Sequence, residues 1–226
     1  MIGDLLVVDD VPLAFCSAIS RLYAQRDSER FRIALSGGVT ARDCYRAIGA
    51  DANIGIDWST VSFFWGDERC VSLDDEDSNF HLAEVALLSN LGTVASIHPM
   101  RCSDGPDPYD RLLRSTPPLN VIHLGLGVDG HTASLFPESD ALRCGSETLV
   151  ALNSDPLGNN PHQRMTLTFE GIKRADHVVI TVSGAEKASA LARVMAGDVS
   201  APATMLRGAN VLWIVDPAAL GQSVSR

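Results

Sequence analysis

Short apolar runs alternate with amphipathic stretches along most of the chain. Asp10 precedes Val11, Phe15, Ile19 and Leu22, a 3.6-residue spacing that predicts a capped helix. Phe31–Leu35 predicts a buried strand. It runs into Ser36-Gly37-Gly38-Val39-Thr40 and a second helix, for which Thr40 and Asp43 fit an S/T-x-x-D/E capping pattern. Val61–Trp65 predicts the next strand, with Gly66 to Arg69 as its exit loop. An acidic loop then leads to Asp77 and Ser78, either able to cap a helix through Leu88. Residues 103–118, rich in Pro, Asp and Ser, read as surface connection with one short helix near 109–114. Residues 121–124 form a strand that opens into Gly125, Gly127 and Gly130. Residues 148–152 and 165–169 are strand candidates separated by a loop. His177–Val182 is a strong strand, Ser183 and Glu186 make a capping box for a helix through Met195, and residues 210–215 form the last strand.

This alternation predicts an α/β fold: one domain over residues 1–226, with a mostly parallel twisted sheet covered by helices on both faces, a Rossmann-like three-layer arrangement. Ligands of such sheets bind outside the carboxyl ends of the strands. Four polar clusters directly follow apolar strands and fall there: residues 36–40, 67–69, 125–131 and 184–187. One such cluster is ordinary loop composition; four that converge predict a site.

Composition narrows the ligand. The 226 residues carry a formal net charge of -10, which argues against a nucleic-acid surface and requires any anion site to gather its few cations locally. No apolar run approaches membrane-spanning length, and the acidic N-terminus does not read as a signal peptide. The five cysteines are dispersed and form no C-x-x-C pair. The expectation is free thiols in a reducing cytoplasm, with no metal site. Nothing in the pattern marks an oligomer interface.

The clusters differ in what they can do. Residues 36–40 join a strand to a helix N-terminus, either as a plain tight turn or as a seat for an anion on free N–H groups. No Walker Lys is present, so a nucleoside triphosphate does not fit. Lys187 and Arg42 each fall in a predicted first helical turn, where a cation opposes the helix dipole; a bound phosphate would remove that conflict. Arg164 can add a bidentate phosphate contact or be a solvated charge. Asp67, Glu68 and Arg69 form either an ion pair at a strand end or, functionally, an acid near substrate hydroxyls with Arg69 stabilising charge.

Residues 125–130 literally match G-x-G-x-x-G, but Asp129 would lie where a dinucleotide pyrophosphate belongs, so a nicotinamide cofactor is disfavoured. His131, just past these glycines, is the best candidate general acid/base. His123, inside an apolar strand, reads as a core histidine. Ser134 lies between Ala133 and Leu135 with no nucleophile-elbow glycines, which disfavours covalent serine catalysis.

Taken in order, several segments resemble the 6-phosphogluconolactonase family of the sugar-phosphate isomerase and deaminase superfamily. They are Leu35-Ser36-Gly37-Gly38, Trp65-Gly66-Asp67-Glu68-Arg69-Cys70-Val71, Asp77-Ser78-Asn79, the central run from Gly125 to Pro137, Arg164-Met165-Thr166 and Gly184-Ala185-Glu186-Lys187. The central run is the specific one. The resemblance implies hydrolysis of a sugar-phosphate lactone, 6-phosphogluconolactone, in the cytoplasm, without cofactor. It implies that residues 36–40 (Ser36, Gly37, Gly38, Val39, Thr40), Arg164 and Lys187 hold the phosphate. His131 is then the catalytic base, with Asp67, Arg69 and Asp129 around the sugar. The glycine loop departs from the family's Ser-Thr-Pro with Val39-Thr40-Ala41, which loses one hydroxyl but keeps the backbone donors. Amino-sugar phosphate deaminases share the scaffold but carry a glutamate where this chain has Phe136, which favours the lactonase. A non-catalytic sugar-phosphate sensor could discard His131 and Asp67, and both are present.

Overall fold

A computed structural model describes residues 2–51 and 53–222; the outermost residues of the 1–226 domain reading lie outside that range. Among the described residues ten strands and six α-helices follow in the order β1 (Asp4–Val7), α1 (Val11–Ala24), β2 (Phe31–Leu35), α2 (Val39–Ala50), β3 (Val61–Trp65), β4 (Asp67–Arg69), α3 (Asn79–Ala86), β5 (Ser96–Ile97), α4 (Asp107–Ser115), β6 (Val121–Gly125), β7 (Val150–Asn153), β8 (Arg164–Leu167), α5 (Phe169–Lys173), β9 (His177–Val182), α6 (Ala188–Ala196) and β10 (Val211–Val215).

Seven strands form a parallel sheet in the order β1-β10-β9-β6-β2-β3-β5. All five residues of β3, and all but the first of β9, are buried. Strands this apolar require cover on both faces, as the sequence pattern predicts. Nearly all the buried apolar side chains form one contiguous cluster, with Trp65, Trp213, Tyr45, Phe15 and Phe63 among its largest members. From β2 the chain moves outward through β3 to β5, then returns to lay β6 on the other side of β2. The strand order reverses between β2 and β6, and a crevice opens there at the carboxyl ends.

Several local expectations are corrected. Asp67–Arg69 is strand β4 rather than a loop; it pairs antiparallel with β8, and β8 with β7, in a second sheet of three strands. Alternation within three residues is too short to reveal a strand. Residues 165–169 do not form one strand: β8 ends at Leu167, and Thr168 caps α5 by accepting the Gly171 N–H. The sequence pattern predicts neither β1 nor β5. Thr40 caps nothing, because α2 already begins at Val39 with Gly38 (φ 94°) at its N-cap and no side-chain cap bond. Nor do Ser183 and Glu186 form a capping box. The Ser183 hydroxyl bonds to Asp216, and a 3-10 turn, Ala185–Lys187, precedes α6. Ser78 does cap α3, through the His81 N–H.

The cysteines are not all free thiols. Cys70 and Cys102 form a disulfide, with Cα atoms 5.2 Å apart, that ties the end of β4 to the segment before α4; Cys16, Cys44 and Cys144 are free. The two partners lie 32 residues apart in sequence, and only the fold brings them together. Among the described residues no helix is long and apolar enough to cross a membrane.

Candidate active site

The four predicted clusters meet in one cleft at the reversal between β2 and β6. Its lining includes Ser36, Gly37 and Gly38 just past β2, Asp67 and Arg69 from β4, Gly125 at the end of β6 with Leu126, Gly127 and His131 beyond it, Arg164 from β8, and Lys187.

His131 is the best-defined group. Its Nδ1 lies 2.5 Å from Asp129 Oδ1, and the same oxygen accepts the His131 backbone N–H at 3.0 Å. An ionised carboxylate accepts only, so Nδ1 carries a proton, and in the neutral ring the lone pair is on Nε2. Burial alone would raise the Asp129 carboxyl. Its bonds to the His131 ring and backbone outweigh that, and the carboxyl is held below its ordinary value. Asp129 lies behind the ring rather than on the cleft wall. Gly127 permits this packing: a Cβ there would overlap both His131 Nδ1 and Asp129 Oδ1. The Phe136 ring, 1% exposed, packs edge-on to His131 with centroids 4.9 Å apart. After Gly130 the chain continues through turns and opens no helix, which removes the dinucleotide reading of its glycines.

The cations face this imidazole without carboxylate partners. Among the described residues no acid lies within ion-pair distance of Arg69, Arg164 or Lys187. Arg164 stands directly opposite Arg69 in the β4–β8 pair, is only 6% exposed, and has a buried Nε without a hydrogen-bond partner. Burial, and then the Arg69 charge, pull its pKa below the usual arginine value. In a chain of net charge -10, two facing arginines and a lysine left without acids are chemically suited to pair with an anion. The uncapped N-terminus of α2 adds its N–H groups from the same side.

Not every candidate enters the cleft. The Val39 side chain is largely exposed, and neither Val39 nor Thr40 lines the cleft. Arg42 turns to Asp43, with Nε 3.4 Å from Oδ1. Asp67 lines the cleft with both carboxylate oxygens engaged: Oδ2 accepts from Ser134 Oγ at 2.5 Å, and Oδ1 from Asn79 Nδ2 at 3.2 Å. Ser134 is thus a donor to Asp67 and no nucleophile.

Asn79, Ala133, Ser134, Phe136 and Asn160 also line the cleft; of these five only Asn160, in the loop before β8, lies outside the segments that carry the resemblance. Asn79 packs so closely on Gly37 that a Cβ there would overlap its Oδ1. Asn79 is held by Glu68, whose buried carboxylate accepts the N–H groups of Asn79, Phe80 and Arg69 and the Ser78 hydroxyl. Burial raises the Glu68 pKa in spite of those donors. Glu68 therefore caps α3 from a neighbouring strand. A short polar tripeptide gives no sign of this, although a buried acid at a strand end is a signal worth testing. Among the described residues no three His, Cys, Asp or Glu side chains gather to hold a metal ion.

An open parallel sheet with an imidazole–carboxylate pair facing unpaired cations at its switch point defines a Rossmann-like α/β protein for a small anionic ligand. Comparison with known proteins narrows the class. The family described as glucosamine-6-phosphate isomerases/6-phosphogluconolactonase matches residues 7–213. A 6-phosphogluconolactonase of Nostoc sp. is 36% identical over 214 residues, covering 87% of this chain and 86% of the relative. That of Mycobacterium leprae is 38% identical over 208 residues, covering 83% of each. The crystal structure of 6-phosphogluconolactonase from Leishmania guyanensis superposes with a TM-score of 0.84 at 25% identity, over 99% of both chains. The chain belongs to the glucosamine-6-phosphate isomerase/6-phosphogluconolactonase family.

Proposed function

We propose that the chain, as one unit over residues 1–226, hydrolyses 6-phospho-D-glucono-1,5-lactone to 6-phosphogluconate, with His131 as the general base. The observation that carries this reading is the Asp129–His131 pair placed across one cleft from Arg69, Arg164 and Lys187. Nε2 takes a proton from water, and the hydroxide adds to the lactone carbonyl carbon. The tetrahedral oxyanion collapses, the bond from C1 to the ring oxygen breaks, and His131 returns the proton to that oxygen. Asp129 holds the ring in the competent tautomer and stabilises the imidazolium formed in between. Asp67, its oxygens already occupied, shapes the sugar side of the cleft, and Arg69 offsets developing negative charge.

The phosphate is held by Arg164, Lys187 and the backbone N–H groups of residues 37–40, the Ser36 N–H being donated to Tyr45 Oη. Val39 and Thr40 contribute through their backbone N–H groups at the α2 N-terminus rather than through their side chains, whereas the Arg42 N–H is already donated to the Gly38 carbonyl and its side chain turns to Asp43. The reading needs no cofactor and no metal, and it carries the cytoplasmic setting expected of a central sugar-phosphate pathway. There Cys70–Cys102 would be the bond exposed to thiol reductants.

The test is a coupled assay with freshly generated 6-phosphogluconolactone, corrected for spontaneous hydrolysis. Lys187→Ala should lower kcat/KM on it by roughly tenfold or more, the scale of one charge-assisted hydrogen bond, while leaving unphosphorylated gluconolactone little changed. Equal losses on both lactones would remove Lys187 from the phosphate site. Hydrolysis no faster than the spontaneous rate would overturn the activity itself.

A further inference from the structure

Behind the Ser36–Gly38 turn, outside the cleft, runs a buried chain of hydrogen bonds that the reaction does not use. β2 ends at Leu35, whose carbonyl accepts from Gly66. The Ser36 N–H lies beyond the ladder and donates to Tyr45 Oη at 2.6 Å. Tyr45 Oη lies 2.9 Å from His123 Nδ1, and His123 Nε2 lies 2.9 Å from Thr181 Oγ1.

Proton counting sets the direction of this chain. A backbone N–H can only donate, so the phenol oxygen accepts, and its single proton points to His123 Nδ1. Nδ1 is then unprotonated, and Nε2 carries the hydrogen that Thr181 accepts. Tyr45 and His123 are fully buried, with the Phe15 ring 4.3 Å from that of His123 and 6.3 Å from that of Tyr45. Burial pushes the His123 pKa down to about 3, so the ring stays neutral and the chain keeps its direction through neutral pH. The four residues come from the end of β2, α2, β6 and β9. The chain thus anchors the first residue of the glycine turn to strands on the far side of the switch point.

We propose that Tyr45 and His123 are positioning residues for the phosphate seat, orienting the Ser36 peptide and through it the N–H donors of Gly37 and Gly38. The inference rests on the reading of that turn as the phosphate seat. A core that only needed filling would be served as well by an apolar pair, since a half-satisfied buried network is costly.

Tyr45→Phe keeps the ring and removes the hydroxyl. KM for 6-phosphogluconolactone should rise about tenfold with kcat within about twofold, and kcat/KM for unphosphorylated gluconolactone should not move. His123→Leu should reproduce the effect, and His123→Gln, which can still accept the Tyr45 proton, should restore most of the affinity. Should Tyr45→Phe not fold, the His123 pair carries the same comparison. In the unaltered protein the 15N resonances of His123 should report a protonated Nε2 and a bare Nδ1 from about pH 5 to about pH 9. An unchanged KM in Tyr45→Phe, equal losses on both lactones, or no difference between the two His123 variants would overturn the proposal. If Lys187→Ala separates the two lactones and Tyr45→Phe does not, the relay fails and the phosphate seat stands. If neither separates them, both fall.

Discussion

His131 owes its chemistry to neighbours that have almost no side chain. Gly127 lets the Asp129 carboxylate and the ring pack together, and Gly130, at φ 90°, turns the chain between them. His131→Ala should lose about 10²–10⁴-fold in kcat, the usual scale for a general acid/base, without unfolding. Gly127→Ala should cost at least about tenfold in kcat, because its Cβ takes the space of the His131–Asp129 bond; both losses are read in the coupled assay. The same pair has a pH signature in stability. The Asp129 carboxyl sits below its ordinary value of 3.8. Its contribution is therefore fully present above pH 3.8 and lost as pH falls through the lower folded value. Glu68, raised above its ordinary 4.5, acts in the opposite direction: its contribution is present below 4.5 and fades as pH rises through the folded value. Denaturant unfolding of Asp129→Asn and the unaltered protein should differ most near neutrality, and the gap should close in acid. A gap that did not change with pH would mean that Asp129 is not ionised in the folded state.

At the scale of elements, the parts legible in the sequence were those set by local rules. Phe31–Leu35, Val61–Trp65 and His177–Val182 are predicted with the bounds the structure shows, because each is a mainly apolar run, broken by at most two polar residues, between polar punctuation. The helix caps from Asp10 and Ser78 were legible for the same reason. What escaped depends on distant partners. β4 exists because β8 pairs with it, and Glu68 caps α3 across ten or more residues of chain. His123 was readable as a core histidine, but its role behind Ser36 needed the position of Tyr45. Cys70 and Cys102 follow the same rule, and here the expectation of free thiols failed. Closing a loop of this length should contribute about 2–4 kcal/mol by restricting the unfolded chain. Cys70→Ser or Cys102→Ser should lower unfolding stability by that amount, as should reduction of the unaltered protein, with no further loss when the reductant meets either variant. Equal stability of variants and parent would show that the bond is not formed in solution.

The whole molecule assembles its site by topology. Residues 36–38 and 125–127 are far apart in sequence, and they become neighbours because β6 is laid beside β2 on the side opposite β3. Two antiparallel strands, β4 and β8, then carry Arg69 and Arg164 over the same crevice. A scaffold of this kind serves several sugar-phosphate reactions, so the chemistry is decided by the few side chains around His131 rather than by the sheet. In the reading proposed above, Phe136 separates the two chemistries. Its buried ring meets His131 edge-on where the deaminase relatives are expected to carry an acid. Sugar isomerisation and deamination need a group for ring opening and proton transfer between carbons, whereas lactone hydrolysis needs one activated water and a stabilised oxyanion. The protein should therefore release no ammonia from glucosamine 6-phosphate and should not interconvert glucose 6-phosphate with its ketose. Phe136→Glu should not create either activity. A carboxylate at so buried a position would lose its hydration, and any charge it kept would favour the protonated imidazole and take the base out of action. Lactonase kcat should fall at least about tenfold in that variant, the scale of an impaired general base. Ammonia release by the unaltered protein at a rate rivalling its lactone hydrolysis would move the chain to the deaminase side of its family.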